Sequence, residues 1–90
     1  MAISVKIPTQ LRTTTDGEAT AEVDGDTVGE VLDALYERYA EFRSRIAEDG
    51  GLRRFVNVYL NDEDIRYLDN LGTAVKDGDE LSIIPAVAGG

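Results

Sequence analysis

The chain has 90 residues, enough for one domain with a modest core that needs no covalent staple. It contains no cysteine and no histidine, which excludes disulfides, thiolate or imidazole metal sites, and Cys–His or Ser–His–Asp nucleophiles. Eighteen acidic against nine basic residues leave a net charge of −9, which argues against nucleic acid and anionic membranes as partners and for a basic protein face.

No apolar run approaches the ~20 residues of a membrane span. Residues 1–7 alternate like a strand and lack a basic segment followed by an apolar one, so a cytoplasmic location is expected. Ile3, Val5 and Ile7 predict a half-buried first strand ending at Pro8. Residues 13–17 are rich in turn formers, and residues 19–23 alternate again, so a hairpin is expected, closed by Asp24-Gly25-Asp26. Thr27-Val28-Gly29-Glu30 has the spacing of a capping box. Beyond it Val28, Val31, Leu32, Leu35, Tyr39, Phe42 and Ile46 recur every three or four residues and predict one long amphipathic helix. Arg43 and Arg45 suit its C-terminal end and Asp49-Gly50-Gly51 its stop, with Tyr39-Ala40 a position where it could break.

Residues 55–60 read as a strand, 61–64 as a turn and 65–67 as a short strand. Leu71 and Val75 are core candidates, Asp77-Gly78-Asp79 is another turn, and Glu80–Pro85 is the last strand. One helix over one face of a four- to five-stranded mixed sheet buries both apolar faces, the α+β solution. With the helix crossing after the first hairpin, the last strand returns parallel beside the first, which is the β-grasp (ubiquitin-like) arrangement. Residues 1–85 then form the domain and residues 86–90 a flexible tail.

The acidic groups Asp24/Asp26, Asp62/Glu63/Asp64 and Asp77/Asp79 lack the spacing of a calcium loop and read as solvated turns. Paired carboxylates for acid–base work would need a pocket, for which this layout leaves little room. Gly50-Gly51 has no phosphate-loop context. The helix's polar face (Glu30, Asp33, Glu37, Glu41) is too acidic for a membrane surface. What remains is the end of the chain. Gly89-Gly90 lets the backbone approach another protein closely, and residues 86–90 reach at most about 17 Å when extended. A frayed end is the bland alternative. In the strand before it, Val56, Val58 and Leu60 suit the core and leave Phe55 and Tyr59 outward; in the last strand Leu81 and Ile83 point in, Ser82 and Ile84 out. If these strands are neighbours, Phe55, Tyr59 and Ile84 make an apolar docking patch at the tail's base rather than scattered surface hydrophobes.

The run Arg54-Phe55-Val56-Asn57-Val58-Tyr59-Leu60-Asn61-Asp62-Glu63-Asp64-Ile65-Arg66, the Asp77-Gly78-Asp79 turn and the ending Ile83-Ile84-Pro85-Ala86-Val87-Ala88-Gly89-Gly90 resemble the ubiquitin-like sulfur-carrier proteins of the MoaD/ThiS group. Within it they resemble most the actinobacterial carriers of cysteine synthesis. The likeness covers nearly the whole chain, including Ile7-Pro8-Thr9 and Leu11-Arg12, and is weakest over residues 46–52.

It implies a carrier that is acted on by enzymes and is not one itself. An E1-like adenylyltransferase/sulfurtransferase would adenylate the Gly90 carboxylate with ATP, and sulfur transfer would leave a thiocarboxylate. In the cysteine-type carriers a PLP-dependent cysteine synthase accepts the sulfur, and a zinc metalloprotease releases the product and restores Gly89-Gly90. Ala86, Val87 and Ala88 would be the threaded segment. ATP, PLP and zinc belong to these partners, and no cofactor or metal is expected on the chain. Donation to molybdopterin, thiamin or a thiosugar-type product stays open, as does protein modification through Gly90 or a purely structural domain.

Overall fold

In the computed structural model, which describes residues 2–48 and 51–85, the first two alternating segments form the predicted hairpin. Strand β1 (Ala2–Lys6) lies antiparallel to β2 (Thr20–Asp24), with Ile3 opposite Val23 and Val5 opposite Ala21, all four buried on one face. The threonine-rich stretch between them is more than a turn. Thr9–Thr15 is a 3-10 helix, ended by Asp16 and Gly17 at positive φ. The Thr14 hydroxyl donates to the Leu11 carbonyl at 2.6 Å and the Thr15 hydroxyl to the Glu18 carbonyl at 3.0 Å, local bonds that stabilise the tight turn while Leu11 is buried beneath it.

Helix α1 (Val28–Arg38) starts at the predicted cap, where the Thr27 hydroxyl accepts the Glu30 N–H at 3.2 Å. The Glu30 carboxylate reaches back one residue further than the capping box foresees, to the Asp26 N–H at 3.0 Å. The apolar stripe is continuous, and Val28, Val31, Leu32, Leu35, Phe42 and Ile46 are all buried. The backbone is not. The single long helix is two, because Tyr39 (φ −132°, ψ 90°) separates α1 from α2 (Ala40–Ile46). A straight helix over residues 28–46 would run about 28 Å, against about 17 Å for a five-residue strand. The break lets α2 turn onto the 3-10 helix after β1 and bury Phe42 and Ile46 there.

The helix ends at Ile46, short of the expected glycine stop. Ala47–Glu48 (β3) and Gly51–Leu52 (β4) instead pair as a small antiparallel hairpin, and Asp49 and Gly50 of the stop lie outside the described residues. Strand β5 (Val56–Leu60) follows, then β6 (Glu63–Asp64), joined by Asn61 and Asp62, both at positive φ, as a two-residue hairpin turn requires. The short strand therefore falls at Glu63–Asp64. Ile65–Tyr67, expected as that strand, is a 3-10 turn capped by Asp64, whose carboxylate accepts the Arg66 N–H at 2.9 Å. After a further 3-10 turn, Asn70–Gly72, the last strand β7 spans Glu80–Pro85.

The five strands of the main sheet lie in the order β2-β1-β7-β5-β6, with β7 parallel to β1 and antiparallel to β5. This is the mixed β-grasp sheet, with both helices across one face. Ile3, Val5, Val58, Leu81 and Ile83 point from it into the core, joined by Val75 and the half-buried Leu71. No helix among the described residues is long and apolar enough to cross a membrane.

One glycine is set by packing. A Cβ on Gly25 would stand 2.8 Å from both the Val31 main-chain nitrogen and Cγ2, whereas one on Gly51 would meet nothing within 4 Å. Gly25→Ala is expected to lower stability by roughly 1–3 kcal/mol and Gly51→Ala to change it by no more than about 0.5 kcal/mol. Denaturant unfolding of both variants checks this, and equal effects would contradict the packing.

Candidate functional site

The central strand β7 is the last described element, and residues 86–90 follow it in sequence. β7 is paired on both sides, Val5 with Leu81 and Lys6 with Ser82 on one, Val58 with Ile83 and Val56 with Pro85 on the other. Pro85, with no N–H to donate, is the last described residue of the ladder. The candidate reactive residues Gly89 and Gly90 and the threaded Ala86, Val87 and Ala88 lie outside the described residues.

Phe55, Tyr59 and Ile84 fall on the outer face of the sheet, the side that the alternation assigns them. Ile84 sits opposite Asn57 and so lies diagonal to Phe55 and Tyr59; Ser82 sits opposite Tyr59. Phe55 and Ile84 are nearly half exposed, at 47% and 46%. Tyr59 shares their face but is only partly accessible, and its register partner is Asp64. Tyr67, 81% exposed, is a further aromatic that strand periodicity could not flag, because it sits on a 3-10 turn.

Two acidic residues expected in solvated turns are buried. Asp64 accepts from the Arg66 N–H and from its guanidinium, at 2.8 Å to Nη2, and these bonds hold its carboxyl below the usual range. Asp79 accepts from Asn61 Nδ2 and from the Lys76 N–H, both at 2.9 Å, and is lowered by them in that order. Asn61 in turn accepts the Glu80 N–H at 3.0 Å and donates its own N–H to the Glu80 carbonyl. This bracket pins the start of β7 to the β5–β6 turn. Among the described residues no group of three or more acidic side chains is placed to hold a metal ion.

A groove between the helices and the β3–β4 hairpin, about 400 Å3 and open to solvent, is larger than expected for so short a chain. It carries Tyr36, whose phenol is pushed up to about 12 by burial and then by Asp33. A phenol held protonated at neutral pH is no base there.

Comparison with known proteins decides the family. Residues 5–90 match the ThiS family. The chain belongs to that family. It is 45% identical over the full length of both chains to the sulfur carrier protein CysO of Mycobacterium tuberculosis. It is 45% identical to small archaeal modifier protein 3 of Haloferax volcanii over 76% of this chain and 75% of that one. The crystal structure of the Amycolatopsis orientalis BexX/CysO complex contains a chain that superposes with a TM-score of 0.92 at 50% identity, covering 99% of this ThiS-family chain and 100% of the other.

The Asp79 bracket has a pH signature. A carboxyl lowered in the folded state contributes stability that is complete above the unfolded value of about 3.9 and is lost as pH falls through the folded value. Asp79→Ala is expected to cost about 1–3 kcal/mol at neutral pH by leaving two donors unpaired. In melts recorded from pH 7 to pH 3, the gap to the parent chain should narrow below about pH 4; a gap independent of pH would contradict the assignment.

Proposed function

We propose that this ThiS-family chain is a sulfur carrier: its Gly90 carboxylate is adenylated by an E1-like enzyme and converted to a thiocarboxylate that serves, first of all, cysteine biosynthesis. The observation that carries the reading is a Gly89-Gly90 end separated only by Ala86-Val87-Ala88 from a central, doubly paired strand, in a chain without cysteine or histidine. The kinship with sulfur carrier protein CysO supports the cargo.

The chemistry follows from the group. A carboxylate is a poor electrophile, so Gly90 must first displace pyrophosphate from ATP to give an acyl-adenylate. A sulfur nucleophile then displaces AMP and leaves the C(=O)S⁻ end. With no thiol elsewhere in the chain, the sulfur resides only there. Glycines at the last two positions keep side chains out of the partner's narrow channel. Ala86, Val87 and Ala88 are the threaded segment, and Phe55, Tyr59 and Ile84 are the docking patch outside it. An aminoacrylate on a PLP-dependent synthase is the acceptor this reading favours, with a zinc metalloprotease restoring Gly90; ATP, PLP and zinc stay with the partners. The cytoplasm, where ATP is available, is the compartment it requires.

A second reading, a protein modifier joined to amines through Gly90, is favoured by the likeness to small archaeal modifier protein 3. Both start from the same adenylate.

Intact mass after incubation with an E1-like enzyme, ATP and a sulfur source tests the carrier. The expected result is a gain equal to one oxygen replaced by sulfur at Gly90. An unchanged mass with an enzyme that is demonstrably active on another carrier would sink the reading. Tyr59→Ala with Ile84→Ser is expected to slow that conversion at least about tenfold with a nearly unchanged melting temperature; a large loss of stability would place these residues in the core.

A further inference from the structure

We infer that the end of the molecule from which the tail leaves docks, through Lys6, Arg12 and Arg54, onto an acidic face of the adenylating enzyme. The inference rests on the carrier reading and adds the chemistry of the partner's surface. A net charge of −9 points the other way, to a basic partner. The fold, however, sorts its charges by strand end.

Because β1 and β7 run parallel and β5 antiparallel, the end of β1, the end of β7 and the start of β5 meet at one pole. Lys6 is the last residue of β1, Arg12 lies on the 3-10 helix after it, and Arg54 comes just before β5. The opposite pole gathers Asp24, Asp26, Asp62, Glu63, Asp77 and Asp79 around the start of β1 and β7.

The three cations are available. Lys6 and Arg12 line one open depression of about 440 Å3 together with Ser82 and the patch residue Ile84. Arg12 Nε donates to the Ile7 carbonyl at 3.1 Å, which orients the guanidinium, and its terminal nitrogens make no bond among the described residues. Lys6 meets Glu80 only at 3.7 Å, with both side chains well exposed. Arg54 is exposed, has no hydrogen bond or ion pair among the described residues, and lines a separate depression with Val56, Val58 and Arg66. Arg53 is different, being engaged by Glu48 at 3.2 Å and the Ser44 carbonyl at 3.1 Å. Asp16 and Glu18 stand at the same pole, but neither lines the depression.

Exposed cations complement carboxylates on the face they dock against, and act over the ~8 Å Debye length at physiological salt. A second copy of this chain fits poorly, since two such poles would bring like charges together on two bodies that each carry −9. Exposed cations at the rim of a docking face act on encounter rate and salt dependence more than on the bound state.

The test uses the E1-like adenylating enzyme of the same genome and follows pyrophosphate release at low and high salt. Arg54→Glu with Lys6→Glu, and separately Arg12→Glu, are compared with Asp26→Lys/Glu63→Lys at the far pole, each after a melt shows that it folds. The tail-pole reversals should lower kcat/KM about tenfold or more at low salt, with kcat little changed and the loss shrinking as salt rises. The far-pole pair should stay within about twofold of the parent chain. Should Arg12→Glu unfold through its bond to Ile7, the Lys6/Arg54 variant carries the test. If the parent is adenylated and the tail-pole reversals slow it no more than the far-pole pair, the docking inference falls and the carrier reading stands. If the parent is never adenylated by an active enzyme, both fall.

Discussion

The structure depends on the seating of β7 between β1 and β5. That one strand supplies Leu81 and Ile83 to the core, carries Ile84 on the other face, and leads directly into residues 86–90. A strand bonded on both sides cannot slip by one residue without turning Leu81 and Ile83 to solvent. The strand end that precedes residues 86–90 is thereby fixed by the core-facing Leu81 and Ile83. At the other end of the strand, the Asp79–Asn61 bracket fixes where β7 begins, so its length up to Pro85 is set at both ends.

The helical layer follows from the size of that sheet. Strands of five or six residues are matched by the eleven-residue α1, and the apolar stripe beyond it has no sheet left to cover. α2 takes Phe42 and Ile46 to the 3-10 helix after β1, where the Phe42 ring meets Tyr36 at 6.2 Å. The same crossover that places the helices makes β1 and β7 parallel, and this parallel pair brings Lys6 and Arg12 into one depression with Ile84. Packing and surface electrostatics are therefore consequences of one topological choice.

Much of this was legible in the residues. Alternation placed β1, β2, β5 and β7 to within a residue and divided the two faces of β5 and β7 correctly, because the period of two is imposed by the pleat wherever one face is buried. The patch of Phe55, Tyr59 and Ile84 followed from that division. Short elements were not legible. Ile65–Tyr67 has the composition of a strand, yet the turn at Asn61-Asp62 uses up the pairing two residues earlier. The threonines at 13–15 signal a turn, whereas the chain forms a 3-10 helix from Thr9 to Thr15 with Leu11 buried. Asp64 and Asp79 look like any turn acid, and their burial comes from partners that lie on other segments or on the next turn.

The sequence by itself determined the fold class, the core faces and the chemistry left to the chain. Periodicity, glycine placement and the absence of cysteine and histidine are local or compositional facts. Only the tertiary structure decided where the helix breaks, which acids are buried, and how charge is distributed. Those depend on the length of the sheet and on which strand ends meet. A net charge of −9 is a sum over the chain, and a sum carries no direction; the parallel pairing of β1 with β7 gives it one.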